Sequence, residues 1–161
     1  MMAIRGTGMI GVMVAVAFLV TAGCGGPSET KFKVTEVKGK VTKGGQPYAD
    51  AQVSLMFQGQ PPADFPGAGG KTDAQGNFEI LTGAQKGVPA GTYTVIVNKM
   101  VGADGKPLVN DPNSGMDAGM MAAEGKTTDD VPPPFNSSEL STTKVTVTEG
   151  KPETIPTIAI P

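Results

Sequence analysis

The chain contains no histidine and no tryptophan, and it holds a single cysteine, Cys24. Without histidine the usual general base near neutral pH is missing, together with the commonest zinc ligand. Ser-His-Asp and Cys-His mechanisms are excluded with it. One cysteine cannot form an intrachain disulfide. Arginine occurs once, at Arg5, so beyond that point lysine alone carries positive charge. The twelve lysines stand against fifteen Asp and Glu scattered along the chain. No basic stripe exists, so the electrostatic footprint of nucleic-acid binding is absent.

Long apolar runs are scarce as well. The most extended one, Met9 to Val20, is broken only by Gly11. A membrane-spanning helix needs about 20 apolar residues. This run has the length of a signal-peptide core, and Arg5 before it supplies the positive flank. It ends in Thr21-Ala22-Gly23-Cys24. Two small residues directly before a lone cysteine resemble a lipobox, the site where bacteria acylate a cysteine and cleave before it. The resemblance implies that residues 1–23 are a lipoprotein signal peptide and that Cys24 carries the lipid. The expected location is the cell envelope, with the outer membrane or cell surface implied by Gly25 where an inner-membrane lipoprotein would carry Asp. Each buried acyl methylene contributes about 0.8 kcal/mol, so a multiply acylated cysteine is a lasting anchor. Residues 24–31 then read as a flexible tether.

Glycine (23) and proline (14) are plentiful, and they punctuate the rest of the chain. Ala51, Val53, Leu55 and Phe57 alternate with polar neighbours or Met56, the period of a half-buried strand. Phe78 and Ile80 alternate in the same way, as do Tyr93, Val95 and Val97, with Ile96 blurring the outer face, and then Val145 and Val147. Phe32 and Val34 share one parity and Val37 and Val41 the other, which predicts a bulge or a sheet crossing near Thr35-Glu36. Pro156 places the last segment, Thr154 to Ile160, at an edge or a bulge. Lys43-Gly44-Gly45-Gln46-Pro47 and Asp73-Ala74-Gln75-Gly76-Asn77 read as turns. No stretch shows a helical period. Short strands between Gly/Pro turns indicate an all-β sandwich with long irregular loops. Its span is residues 32–161, with a loop insertion at 100–134.

Several of these residues fall into a pattern. Val37-Lys38-Gly39-Lys40-Val41, then Gly45-Gln46-Pro47 and Ala49-Asp50-Ala51-Gln52-Val53, resemble the opening of carboxypeptidase-regulatory-like domains. Thr72-Asp73 with Gly76 and Phe78, and Pro89, Gly91, Tyr93 and Val95, are similar to the next two signatures. Phe135-Asn136 followed by Ser141 is similar to the segment before the penultimate strand. The resemblance covers about residues 34–160. It implies a seven-stranded, transthyretin-like or Ig-like β-sandwich, and it carries no catalytic residues onto this chain.

The remaining candidates for chemistry are thin. Asp111 to Asp117 spaces oxygen ligands as calcium loops do, but Ala122 stands where the closing Glu belongs. Met100, Met116, Met120 and Met121 could offer soft sulfur to copper, but read better as a loop edge or docking patch. Asp129-Asp130 with Glu139 could be imagined as paired glycosidase carboxylates, yet neighbours on a loop supply no fixed separation. No metal site and no cofactor is expected, and the chain does not read as an enzyme. The leading expectation is a non-catalytic envelope lipoprotein, a binding or structural module whose partner is an envelope protein or polysaccharide. The alternative is a carbohydrate-binding module at the cell surface. Sugar sites need exposed aromatic platforms, and Tyr48, Phe65 and Phe135 are the candidates for such a ligand loop.

Overall fold

The computed structural model describes residues 33–102, 105, 124–125 and 127–161. Among them there is no helix, and thirteen short strand segments form two main sheets and a ribbon. The fold is therefore all-β, and its strands are shorter and more numerous than the seven expected. The interruptions explain the count: Gly, Pro and turn residues cut single passes of chain into two-to-four-residue pieces.

The first sheet is centred on β1 (Val37–Lys43). One flank of β1 pairs antiparallel with β5 (Asn77–Glu79) and, further along, with β2 (Gln46–Pro47). The other flank pairs in parallel with β12 (Glu153–Thr154) and then β13 (Ile158–Ile160). Ile155, Pro156 and Thr157 interrupt that edge. Pro156 has no N–H to give a ladder, and it sits in this break. The expected edge position is what the structure shows.

The second sheet runs in the order β11 (Lys144–Val147), β8 (Gly91–Asn98), β3 (Gln52–Phe57), β4 (Ala68–Lys71), β6 (Leu81–Thr82), β7 (Gln85–Lys86). Val53 and Leu55 of β3 lie opposite Val97 and Val95 of β8, and all four are buried. These alternate positions join Val37 and Val41 from the first sheet in one apolar core with Phe78, Ile80, Tyr93, Ile155 and Ile158. Burial of this kind contributes about 25 cal/mol per Å² of apolar surface and is the main force holding the two sheets together. Thr94 and Ile96 of β8 are also buried, on the strand's opposite face.

The phase change expected near Thr35-Glu36 is not there. Thr35, Val37 and Val41 are buried with one parity, and Glu36 between them is exposed. The Thr35 backbone pairs with Val88 in both directions, at 2.8 and 2.9 Å. Its hydroxyl accepts from the Gly150 amide at 3.0 Å. A polar side chain thus occupies an inward position with its hydrogen bond satisfied, which hid the register from an apolar pattern. Phe32, the other half of that expectation, lies outside the described residues.

Gly39 is required by packing. It lies opposite Phe78 in the β1–β5 ladder, and a Cβ on it would overlap the Phe78 ring and approach Ile155 Cβ at 3.2 Å. Gly76 closes the β4–β5 connection at φ +77°, where only glycine is comfortable.

Because each strand crosses the sandwich, its loops fall at two poles. The chain enters at Lys33, beside the Thr35–Val88 bridge and the Thr148–Lys151 turn. The end of β3 meets the start of β8 at this entry pole, where the Gln58 amide donates to Thr92 O at 2.8 Å. At the far pole Val41 accepts from Tyr48, Gly76 accepts from Val41, and Gly44 donates to Ile160.

Candidate functional site: the root of the 100–134 excursion

The long excursion after β8 begins as a ribbon. β9 (Met100–Gly102) pairs antiparallel with β10 (Thr127–Asp129), matching Met100 to Asp129 and Gly102 to Thr127. The span expected to be one irregular loop thus has a paired base. Val131 then enters the core, and Phe135 lies against β8 with its carbonyl accepting from the Val97 amide at 2.9 Å. Ser141 Oγ donates to Val95 O at 2.7 Å as the chain approaches β11.

The two adjacent carboxylates at this root point to different partners, as neighbours in extended chain must. Asp129 Oδ1 accepts from the amides of Lys99 (2.9 Å) and Val131 (3.0 Å). Its Oδ2 accepts from the side-chain amides of Asn98 (2.8 Å) and Asn136 (3.3 Å). Four donors tie β8, β10 and the return segment to one carboxylate. Asp130 turns toward the first sheet. Its Oδ1 pairs with Lys43 Nζ at 2.6 Å, and its Oδ2 accepts from the Tyr48 hydroxyl at 2.6 Å. Lys43 Nζ also donates to Asp130 O at 2.9 Å.

Tyr48 is the hub of that second contact set. The residue is only 7% exposed. Lys99 Nζ lies 4.5 Å and Lys43 Nζ 5.4 Å from the ring centroid, within cation–π range. Lys99 also donates to Ala49 O at 2.8 Å. Burial, followed by the hydrogen bond to Asp130, pushes the Tyr48 phenol well above its ordinary value. The Lys43 ammonium, then the Tyr48 hydroxyl, hold the Asp130 carboxyl below the usual carboxylate range. Both shifts favour the forms present at neutral pH, a neutral phenol and an ionised carboxylate. Neither is a group poised to exchange protons there.

The three aromatic candidates do not share one surface. Tyr48 is buried in the far-pole network and offers no platform. Phe135 is at the same pole but half-buried against the core. Phe65 is at the entry pole, the end where the chain comes in at Lys33, its ring 6.3 Å from that of Phe57, which in turn meets Tyr93 at 5.0 Å. The 59–67 loop and the described root of the 100–134 excursion therefore lie at opposite ends of the sandwich, and the structure does not bring Tyr48, Phe65 and Phe135 together on one surface. Cys24, the Asp111–Asp117 segment, and Met116, Met120 and Met121 lie outside the described residues. Among the described residues, no three His, Cys, Asp or Glu side chains gather as a metal-binding group.

The polar network itself was missed in the sequence. Lys43, Tyr48, Lys99 and Asp130 are too far apart in the chain for spacing to link them. The one available signal was alternation, which sends Asp129 and Asp130 to opposite sides. No protein-family model matches the chain, and no curated protein matches it.

Proposed function

We propose that this chain is a non-catalytic lipoprotein of the cell envelope, in which a carboxypeptidase-regulatory-like sandwich holds a long loop for a protein or polysaccharide partner. The observation that carries this reading is the use made of Asp129 and Asp130. They are the adjacent acid pair that the sequence offered for chemistry, and their oxygens are taken up in fastening the root of the 100–134 excursion. A catalytic carboxylate needs a free oxygen facing substrate. Asp129 instead accepts four N–H groups, an arrangement suited to a fixed scaffold under a variable loop.

The anchor rests on the sequence around Cys24, and its test is direct. Cells grown with a labelled fatty acid will incorporate label into the full-length protein, and the protein will float with membranes on a density gradient. The Cys24→Ala variant will lose both. Unchanged flotation of that variant contradicts the anchor. Turnover of any substrate in a hydrolase panel contradicts the non-catalytic reading.

A further inference from the structure

We propose that a furrow on the outer face of the first sheet binds the carboxylate of an acidic peptide segment of a partner protein, with Lys40 as its anchor. The furrow is separate from the excursion, and its binding does not depend on acylation of Cys24.

The edge of the first sheet is interrupted by an offset. Lys38 pairs with Thr154, and Val41 pairs with Ile158. Gly39 and Lys40 lie between those pairs on β1, and Ile155, Pro156 and Thr157 face them. The facing chain thus has one residue too many, as in a bulge. The register fixes what the break leaves open. Val41 donates to Gly76 O at 2.8 Å, so the odd residues of β1 turn their backbone toward β5. Lys40 must then turn its N–H the other way, toward the break. Ile155 still donates to Lys38 O at 2.7 Å. Beyond it neither Ile155 nor Pro156 is matched to a residue of β1, and the Lys40 amide finds no acceptor among the described residues.

The break borders a furrow of about 510 Å³. Gly39, Phe78, Ile155 and Pro156 give it an apolar lining, and Thr154 and Thr157 add hydroxyls. The charges around it are engaged, with one exception. Lys38 pairs with Glu36 at 3.2 Å and with Glu79 at 3.4 Å, and Glu79 also holds Lys86 at 2.8 Å. Asp73, near enough to feel the charge of Lys40, accepts instead from the amides of Gln75 and Asn77 at 2.9 and 2.8 Å. Lys40 is half-buried opposite Asn77, and its ammonium has no ion pair or hydrogen-bond acceptor among the described residues.

A cationic donor and a backbone donor of one residue therefore border the same space. A carboxylate matches them, with two acceptor oxygens and a single negative charge. Bonds of this charge-assisted kind are stronger than neutral ones. The furrow exceeds the size of a carboxylate, and its apolar lining suits the residues that flank one in a peptide. An acidic sugar fits less well. Sugars seat on exposed aromatic rings, and the ring here, Phe78, is only 4% exposed.

The test uses the full-length protein in detergent micelles and a dye-labelled, amidated peptide with one glutamate between leucine and alanine. Fluorescence anisotropy will show saturable binding that weakens as salt is raised. A peptide with glutamine in place of glutamate will bind at least about tenfold more weakly, and so will the glutamate peptide to Lys40→Gln. Lys40→Arg will keep most of the affinity. Lys144→Gln, at an exposed position of the second sheet, will keep all of it. Lys40→Gln breaks no contact, so its thermal midpoint will be unchanged. In the unsubstituted protein the Lys40 amide resonance will move downfield with the glutamate peptide and not with the glutamine one. Equal binding of the two peptides, unchanged binding to Lys40→Gln, or no binding at millimolar peptide overturns the proposal. Tighter binding of a glucuronate oligosaccharide than of the glutamate peptide overturns the peptide as occupant.

Discussion

Replacing Asp129 with alanine removes the acceptor for four donors at once, and its cost can be worked from the contacts. Two of the donors are backbone amides, Lys99 and Val131, at 2.9 and 3.0 Å. Leaving a buried amide unpaired costs about 1–3 kcal/mol. The site is half-buried, so water will satisfy part of what is lost. Asn98 and Asn136 lose charge-assisted bonds in addition, each stronger than a neutral one. The sum points to about 3 kcal/mol, or a fall of about 10 °C in Tm for a domain of this size. Asp129→Asn keeps one carbonyl oxygen for the two amides but sets NH2 against NH2 at Asn98 and Asn136, so its loss should be about half as large. Urea denaturation of the protein lacking residues 1–23 measures both, with an unchanged m-value expected because the sheets still unfold together. A loss under about 0.5 kcal/mol for the alanine variant would refute the fastening role. A gain in stability would point the other way, to a functional carboxylate held at a cost to the fold.

Other consequences follow from the same geometry. Gly39→Ala forces a methyl into the Phe78 ring and should cost about 1–3 kcal/mol; combining it with Phe78→Leu should recover part of that loss, which a double-mutant cycle in urea would read. Tyr93→Phe removes a buried hydroxyl that donates to Pro89 O at 2.8 Å, with an expected loss of about 1–2 kcal/mol; no change in urea midpoint would discount that bond. Burial pushes the Tyr93 phenol from its ordinary 10.0 up to about 12, and burial with the Asp130 bond raises Tyr48 too. The unfolded chain therefore releases protons first as pH rises past 10, and stability should fall from there toward 12. Tyr93→Phe should flatten that alkaline limb; an unaltered slope would contradict it. On the acid side Asp130 is depressed by Lys43 and Tyr48, and Asp73 by the Asn77 amide, from 3.8. Their contribution is complete above about pH 4 and is lost as pH falls through the lower folded-state values, so Asp130→Asn should weaken the acid dependence of a pH-jump unfolding curve.

The sandwich was legible because its central strands obey a period of two. Val53 and Leu55, then Tyr93, Val95 and Val97, and Val145 with Val147 all face the core as their alternation required. Pro156 marked its own edge. Thr35 escaped notice because a threonine with a satisfied hydroxyl sits inward as readily as valine. Tyr48 was misread because it follows Pro47 at a turn, where rings are usually exposed. Its burial depends on Asp130, 82 residues away, and on lysine stems lying across the ring, a use of lysine that composition does not reveal. The separation of Phe65 from Phe135 could have been counted. β4, β5 and β8 each cross the sandwich between the two loops, and three crossings end at the opposite pole. The root of the excursion was illegible for a plainer reason, since its hydrogen bonds join four distant segments and no local spacing encodes them.

Amide hydrogen exchange at Lys99, Asp130 and Val131 tests the central claim most directly. Lys99 and Val131 donate to Asp129, and Asp130 donates to Lys99 O at 2.8 Å. A fastened root predicts protection within reach of core amides such as Val41 and Val95, lost selectively in Asp129→Ala. Exchange at the rate of an open loop in the unsubstituted protein would contradict it.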